Sequence, residues 1–185
     1  MASIVCGMDV IEELLENNRR YVRQFDKAAL PSSPQKRVAV LTCMDARLDV
    51  HKILGLHEGD AHVIRNAGGI ASEDALRSLV ISQRLLGTDA VVVIHHTDCG
   101  MLTLPEDEVR REVEEETGQP LPFRLRAFSE LQQETISAIM RIREAPFLPH
   151  RDPVRGFIYN VETGLLREVG GGRVHPTKHP RANGK

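Results

Sequence analysis

The sequence predicts an α/β fold, a mainly parallel central β-sheet flanked by helices and preceded by an N-terminal helical arm. Three observations carry this. Short apolar, β-branched runs recur at 37–43 (RVAVLTC), 61–66 (AHVIRN) and 89–96 (DAVVVIHH). Helical periods fall between and after them. The run at 89–96 is nearly continuous rather than alternating, as expected of a strand covered on both faces.

The elements follow in order. Residues 9–25 place Val10, Leu14, Leu15 and Val22, with Tyr21 and Phe25, at helical spacing. Pro31, Ser32, Ser33 and Pro34 interrupt that pattern, so residues 1–34 read as an arm and linker able to pack on a partner subunit. The first strand ends on Cys43. A short helix, DVHKILGL, follows and stops at Gly55. The second strand runs into the glycine turn of VIRNAGG. Ser72 can cap the next helix, which is expected to reach Leu86 with Gly87 at its C-terminal end. After the third strand, PEDEVRREVEEE reads as an acidic, solvated helix. FSELQQETISAIMRIREA is amphipathic, offering Leu131, Ile136, Ile139, Met140 and Ile142 for burial. VRGFIYNVETGLLREV reads as two strands about a turn at 162–164, closing an α/β domain over 35–169. Residues 170–185 have no apolar period and no acids, and read as a disordered tail.

Composition narrows the function. The chain has 185 residues, 41% apolar, with a net charge of −2, so neither nucleic acid nor an anionic membrane is indicated as a partner. The N-terminus turns acidic too early for a signal peptide, and no apolar run spans a bilayer. Three cysteines, an odd number, suit a reduced cytoplasmic protein better than a disulfide framework. Cys6 reads as a small core residue.

Cys43 ends the first strand, and HHTDCG, with His95, His96 and Cys99, ends the third. Ligands bind beyond the carboxyl ends of parallel strands, so the two termini can converge. Two cysteines and a histidine form a zinc set with one tetrahedral position open, the arrangement of a catalytic site. His96 has the spacing to Cys99. Alternation then turns His95 to the other face, as a buried, hydrogen-bonded core histidine. Asp45 could accept a hydrogen bond from a zinc-bound water, and Arg47 could hold Asp45 through a bidentate pair.

CMDAR and HHTDCG together resemble the β-class carbonic anhydrases, which carry Cys-x-Asp-x-Arg after the first strand and His-x-x-Cys after the third. VIRNAGG resembles the loop between them, and GFIYNVETGLL the last strand. The wording is most similar to the short bacterial and archaeal branch. The resemblance implies the β-carbonic anhydrase fold and one zinc per subunit on Cys43, His96 and Cys99. It also implies an Asp45–Arg47 catalytic dyad, and a homodimer, sometimes joined into a tetramer, with the N-terminal helix as the wrapping arm. Asp45 could swing onto the zinc in a closed state.

The expected reaction is reversible hydration of CO2 to bicarbonate by zinc-bound hydroxide, with a working pKa somewhat above 7 because thiolates donate more charge than imidazoles. Backbone N–H groups of the loop from Asn66 through Gly68 and Gly69, or of Gly100, could face the product anion. His51, His57 and His62 are candidate proton carriers, none singled out by spacing. The same branch includes hydrolases of carbonyl sulfide and carbon disulfide, so such a hydrolase is the alternative. A non-catalytic, zinc-stabilised dimer is a third reading, which would not need Asp45 and Arg47.

Overall fold

A computed structural model describes residues 9–170, which fall into two compact units divided between Pro31 and Ser32. The expectations for Cys6 and for the tail after residue 170 lie outside the described residues.

In the first unit, helix α1 spans Val10–Val22. The Asp9 side chain caps it by accepting from the Ile11 N–H, with Glu12 and Glu13 in the first turn and Arg19 and Arg20 in the last. None of its residues is buried. Val10, Leu14, Leu15 and Val22 are all exposed.

Among the described residues the second unit carries five strands: β1 Val38–Cys43, β2 Ala61–Asn66, β3 Ala90–His96, β4 Val154–Tyr159 and β5 Leu166–Val169. Their order is β2-β1-β3-β4-β5. The first four run parallel, and β5 is antiparallel to β4. Chain order reverses at β1, with β2 on one side and β3 on the other. The crevice of such a sheet lies at the carboxyl ends of those strands. Register brings Cys43 beside Asn66, Thr42 beside Ile94 and His96 beside Tyr159.

Helices cover both faces. On one, Leu76 and Leu79 of α3 (Glu73–Arg84) and Ile139 and Ile142 of α5 (Leu131–Glu144) join Leu41, Val91 and Val93 in the main core. Gly156 lets α5 approach β4, since a Cβ there would lie 2.5 Å from Ile139 Cδ1. On the other face, Val50 and Leu54 of α2 (Val50–Leu54) pack on Val40 and Ile94.

Ser72 caps α3 as expected, accepting from the Ala75 N–H. The helix ends at Arg84 rather than Leu86, and Gly87 takes the left-handed conformation at φ +75°. Helix α4 (Glu106–Thr117) buries nothing, in keeping with its acidic sequence. Met140 departs from expectation, being 44% exposed. Ile139 and Ile142 define the inward stripe of α5, and Met140, one residue on from Ile139, is rotated about 100° away from it. The β4–β5 hairpin turns on Asn160, whose side chain accepts from the Glu162 and Thr163 N–H groups.

Candidate metal centre

Cys43 is the last residue of β1 and His96 the last of β3, while Cys99 sits three residues further on, just before a 3-10 turn at Gly100–Leu102. Their ligand atoms lie within 4.8 Å of one another. All three residues are buried, at 5%, 1% and 4% exposure. Leu48, Met101, Phe128, Tyr159 and Val161 wall the cysteines with apolar surface. The tips of β1 and β3 are tied by Thr42 Oγ1, which donates to the Ile94 carbonyl at 2.8 Å. The loop after His96 is tied to the end of β4, where Thr97 N donates to the Tyr159 carbonyl and Thr97 Oγ1 accepts from Val161 N.

The donor set fits zinc. His96 Nδ1 lies 2.9 Å from the Thr97 carbonyl, which can only accept, so the ring donates there and leaves its lone pair on Nε2. Nε2 is buried and has no hydrogen-bond partner among the described residues. The lone pair meets only weak contact with the Cys43 thiol, so a buried nitrogen and two sulfurs face one another with no strong donor among them. A cation with nitrogen and sulfur preference answers that need. Burial pushes the Cys43 thiol up, yet contact with His96 and the backbone N–H groups of Asp45 and Gly68 outweigh it and bring it down to about 7. Cys99 has fewer such donors, and burial pushes it up to about 11. A metal would have to displace that proton.

Asp45 stands beside the cluster without joining it, with Oδ2 3.8 Å from His96 Nε2. Arg47 grips its carboxylate in a bidentate pair, Nε to Oδ1 at 3.0 Å and Nη2 to Oδ2 at 2.7 Å, and the Arg47 N–H adds a bond to Oδ1. Hydrogen bonding from Arg47 holds the Asp45 carboxyl well below the usual carboxylate range, so it is an ionised acceptor at neutral pH.

Two further arginine contacts were not legible in the sequence. Arg65 reaches from β2, donating through Nε to the Cys43 carbonyl at 3.0 Å and through Nη2 to the Asp45 carbonyl at 2.7 Å. Arg47 also binds Asp98, through Nη1 to Oδ2 at 2.7 Å and Nη2 to the backbone carbonyl at 2.9 Å. The only cue to Asp98 was its place between His96 and Cys99.

The glycine loop is a 3-10 turn at Ala67–Gly69, with Gly68 at φ +79° and Gly69 at +67°. Asn66 closes it: its side chain donates to the Ile70 carbonyl and accepts from Ile70 N, both at 2.8 Å. The Gly68 N–H faces the Cys43 sulfur. Gly100 is exposed, and a Cβ there would meet nothing within 4 Å. His95 is buried as expected, but the expected hydrogen bond is missing: neither ring nitrogen has a partner among the described residues. The ring instead packs edge-on against Phe128, centroids 6.1 Å apart. His62 lies at the start of β2, opposite Ala39 rather than Cys43, and is bound to Ser82, which places it at the wrong end of the sheet for a proton carrier. A cavity of about 420 Å³ lies next to Ile70 and is lined by Arg124, Glu134 and Arg141, but by none of the three cluster residues.

The model of the carbonic anhydrase family matches residues 38–137. The chain is 44% identical over 162 residues to beta-carbonic anhydrase 1 of Mycobacterium tuberculosis, covering 88% of this chain and 99% of the relative. It is 31% identical to the carbon disulfide hydrolase of Saccharolobus solfataricus, covering 86% and 90%. A crystal structure of carbonic anhydrase from Streptococcus mutans superposes with a TM-score of 0.81 at 39% identity, covering 88% of this chain and 98% of that one.

Proposed function

The chain belongs to the β-class carbonic anhydrase family, and from that footing we propose that it catalyses the reversible hydration of CO2 to bicarbonate and a proton. The observation that carries the proposal is the buried Cys43–His96–Cys99 cluster with an ionised, arginine-clamped Asp45 at its edge. Cys43, His96 and Cys99 would hold the zinc, one per subunit. Zinc, when bound there, supplies a Lewis acid that brings the pKa of water towards neutrality, and with it a nucleophile for the carbon of CO2.

The chain's own residues do the rest. Thr97 fixes the His96 tautomer by accepting from Nδ1. Asp45, ionised and able only to accept, takes a hydrogen bond from the nucleophile's O–H and so aims its lone pair at the substrate. Arg47 holds Asp45 in that posture. Asn66 shapes the turn in which the Gly68 N–H faces the Cys43 sulfur, leaving the Gly69 and Gly100 N–H groups as the donors offered to an anion.

In this proposal residues 1–34 are the arm and linker and 35–169 the catalytic domain. The exposed apolar residues of α1 support a homodimer wrapped by the arm, or a tetramer built from such dimers. The protein acts in the cytoplasm, and no helix among the described residues is long and apolar enough to cross a membrane.

A second reading, hydrolysis of carbon disulfide or carbonyl sulfide, is favoured by the 31% identical carbon disulfide hydrolase. The deciding experiment is stopped-flow CO2 hydration by zinc-loaded protein from pH 6.5 to 9, beside sulfide release from both sulfur compounds. Fast CO2 turnover that rises with pH supports carbonic anhydrase. Slow CO2 turnover with rapid sulfide release moves the substrate to the sulfur gases. A pH-independent rate overturns the nucleophile assignment.

A further inference from the structure

We infer that Asp98 is a positioning residue that locks the Arg47 guanidinium and thereby keeps Asp45 off the metal, an inference that rests on the zinc reading of the Cys43–His96–Cys99 cluster. Arg47 has five N–H donors, and four are committed. Nε and one Nη2 hydrogen go to the two Asp45 oxygens. The other Nη2 hydrogen goes to the Asp98 backbone carbonyl, and one Nη1 hydrogen goes to Asp98 Oδ2. The guanidinium is therefore held on two sides by two aspartates, and its plane cannot turn without breaking bonds on both.

Asp98 achieves this through its backbone. It sits at φ +55°, a left-handed conformation uncommon for a residue with a side chain and tolerated best by aspartate, asparagine and glycine. That conformation presents the carbonyl and the carboxylate of one residue to one guanidinium. An ordinary exposed ion pair contributes little, and here the side chains are 46% and 78% exposed. Two acceptors from one residue, on a loop pinned by Thr97 and Cys99, order the guanidinium where a single exposed carboxylate would not.

The consequence falls on Asp45. Its Oδ2 is 3.8 Å from His96 Nε2, close enough that a modest swing would bring it into the cluster. Arg47 is its counterweight. With the Asp98 half of the clamp removed, the guanidinium can follow the carboxylate, and the population with Asp45 in the cluster rises. Asp98 thus acts through Arg47 on Asp45 and touches neither substrate nor metal.

The test uses Asp98→Gly and Asp98→Asn, both compatible with the left-handed backbone. Zinc-loaded D98G should bind zinc stoichiometrically and lose about five- to tenfold in kcat/KM, with D98N between it and the parent. In an Arg47→Ala background, D98G should add less than about a twofold change, because the residue it acts through is gone. A readout independent of turnover is azide titration of the cobalt(II)-substituted protein by visible absorption. D98G should need about five times more azide than the parent, since Asp45 competes for the metal, and Asp45→Asn should abolish that difference. An unchanged azide titration in D98G, or a D98G loss of equal size with and without Arg47, overturns the inference. Failure of the parent protein to take up zinc or cobalt instead overturns the zinc reading beneath it.

Discussion

Gly69 is seated directly against the backbone of Cys43: a Cβ on Gly69 would lie 2.9 Å from the Cys43 nitrogen and 2.9 Å from the Thr42 carbonyl carbon. Neither atom can step aside, because both belong to β1, which is paired on both sides by β2 and β3. The backbone at Gly69 is also left-handed, at φ +67°. Gly69→Ala therefore combines strain with a backbone clash, and should cost roughly 2 kcal/mol or more of stability and lower zinc retention. Gly68→Ala meets only side-chain atoms, Met101 Cγ and Phe128 Cε1 at 3.1 Å, and should cost less despite φ +79°. Gly100→Ala meets nothing and should stay within about 0.5 kcal/mol. Denaturant midpoints and zinc analysis of the three variants check the order; G69A as stable as G100A would contradict it.

Cys43→Ser, His96→Ala and Cys99→Ser should each lose metal and activity together. The three donor atoms lie within 4.8 Å, and no fourth His, Cys, Asp or Glu among the described residues joins their group. Elemental analysis after dialysis reads the outcome. Near-stoichiometric zinc in any one variant sinks that residue as a ligand.

Asp45→Asn should separate binding from chemistry. The carboxylate lies outside the cluster, so zinc should stay, while an amide can donate as well as accept and no longer selects the O–H orientation. A fall of about a hundredfold in CO2 hydration is expected at unchanged zinc content. Full activity in this variant would leave a purely structural zinc site as the better reading.

The sheet and the cluster were readable because their signals are local. A strand of Val, Ile and Ala is apolar whichever sheet it enters, and Cys43, His96 and Cys99 are marked by type and by position at strand ends. The supporting contacts were not readable. Arg65 reaches Cys43 and Asp45 only because β2 pairs with β1 in a register that puts Thr42 beside Arg65. Asp98 reaches Arg47 across 51 residues of chain through a left-handed backbone that no periodicity encodes. His95 looked like a residue that must find a partner, yet both ring nitrogens go without one among the described residues, and the ring it packs against, Phe128, comes from a distant segment.

Residues of α1 supply the test of assembly. Val10, Leu14, Leu15 and Val22 are apolar at helical spacing and exposed, and an amphipathic face of that kind gains stability only against a partner surface. Removing residues 1–25 should shift the sedimentation equilibrium towards monomer at micromolar concentration. A truncated protein that sediments as the full-length assembly does would refute the wrapping arm.

His95 gives a pH prediction with a definite sign. Burial is the larger cause and the neighbouring His96 the smaller, and together they push its pKa from 6.5 down to about 4. In the unfolded chain the imidazole takes up a proton below about 6.5; in the folded chain it resists until about 4. Between those values the unfolded state binds more protons, so stability falls as pH falls through the window and levels off below it. The full effect of such a shift is about 3 kcal/mol. His95→Phe keeps an aromatic ring beside Phe128 and removes the titration, so its stability should decline less from pH 7 to 4. Urea unfolding of both proteins, metal removed equally from each, measures the difference. Because His96 and the two cysteines are common to both, their contributions largely cancel in the comparison. Parallel pH curves would mean that the folded His95 is protonated as readily as the unfolded one, and that the unpartnered ring is not the acid-sensitive group of this core.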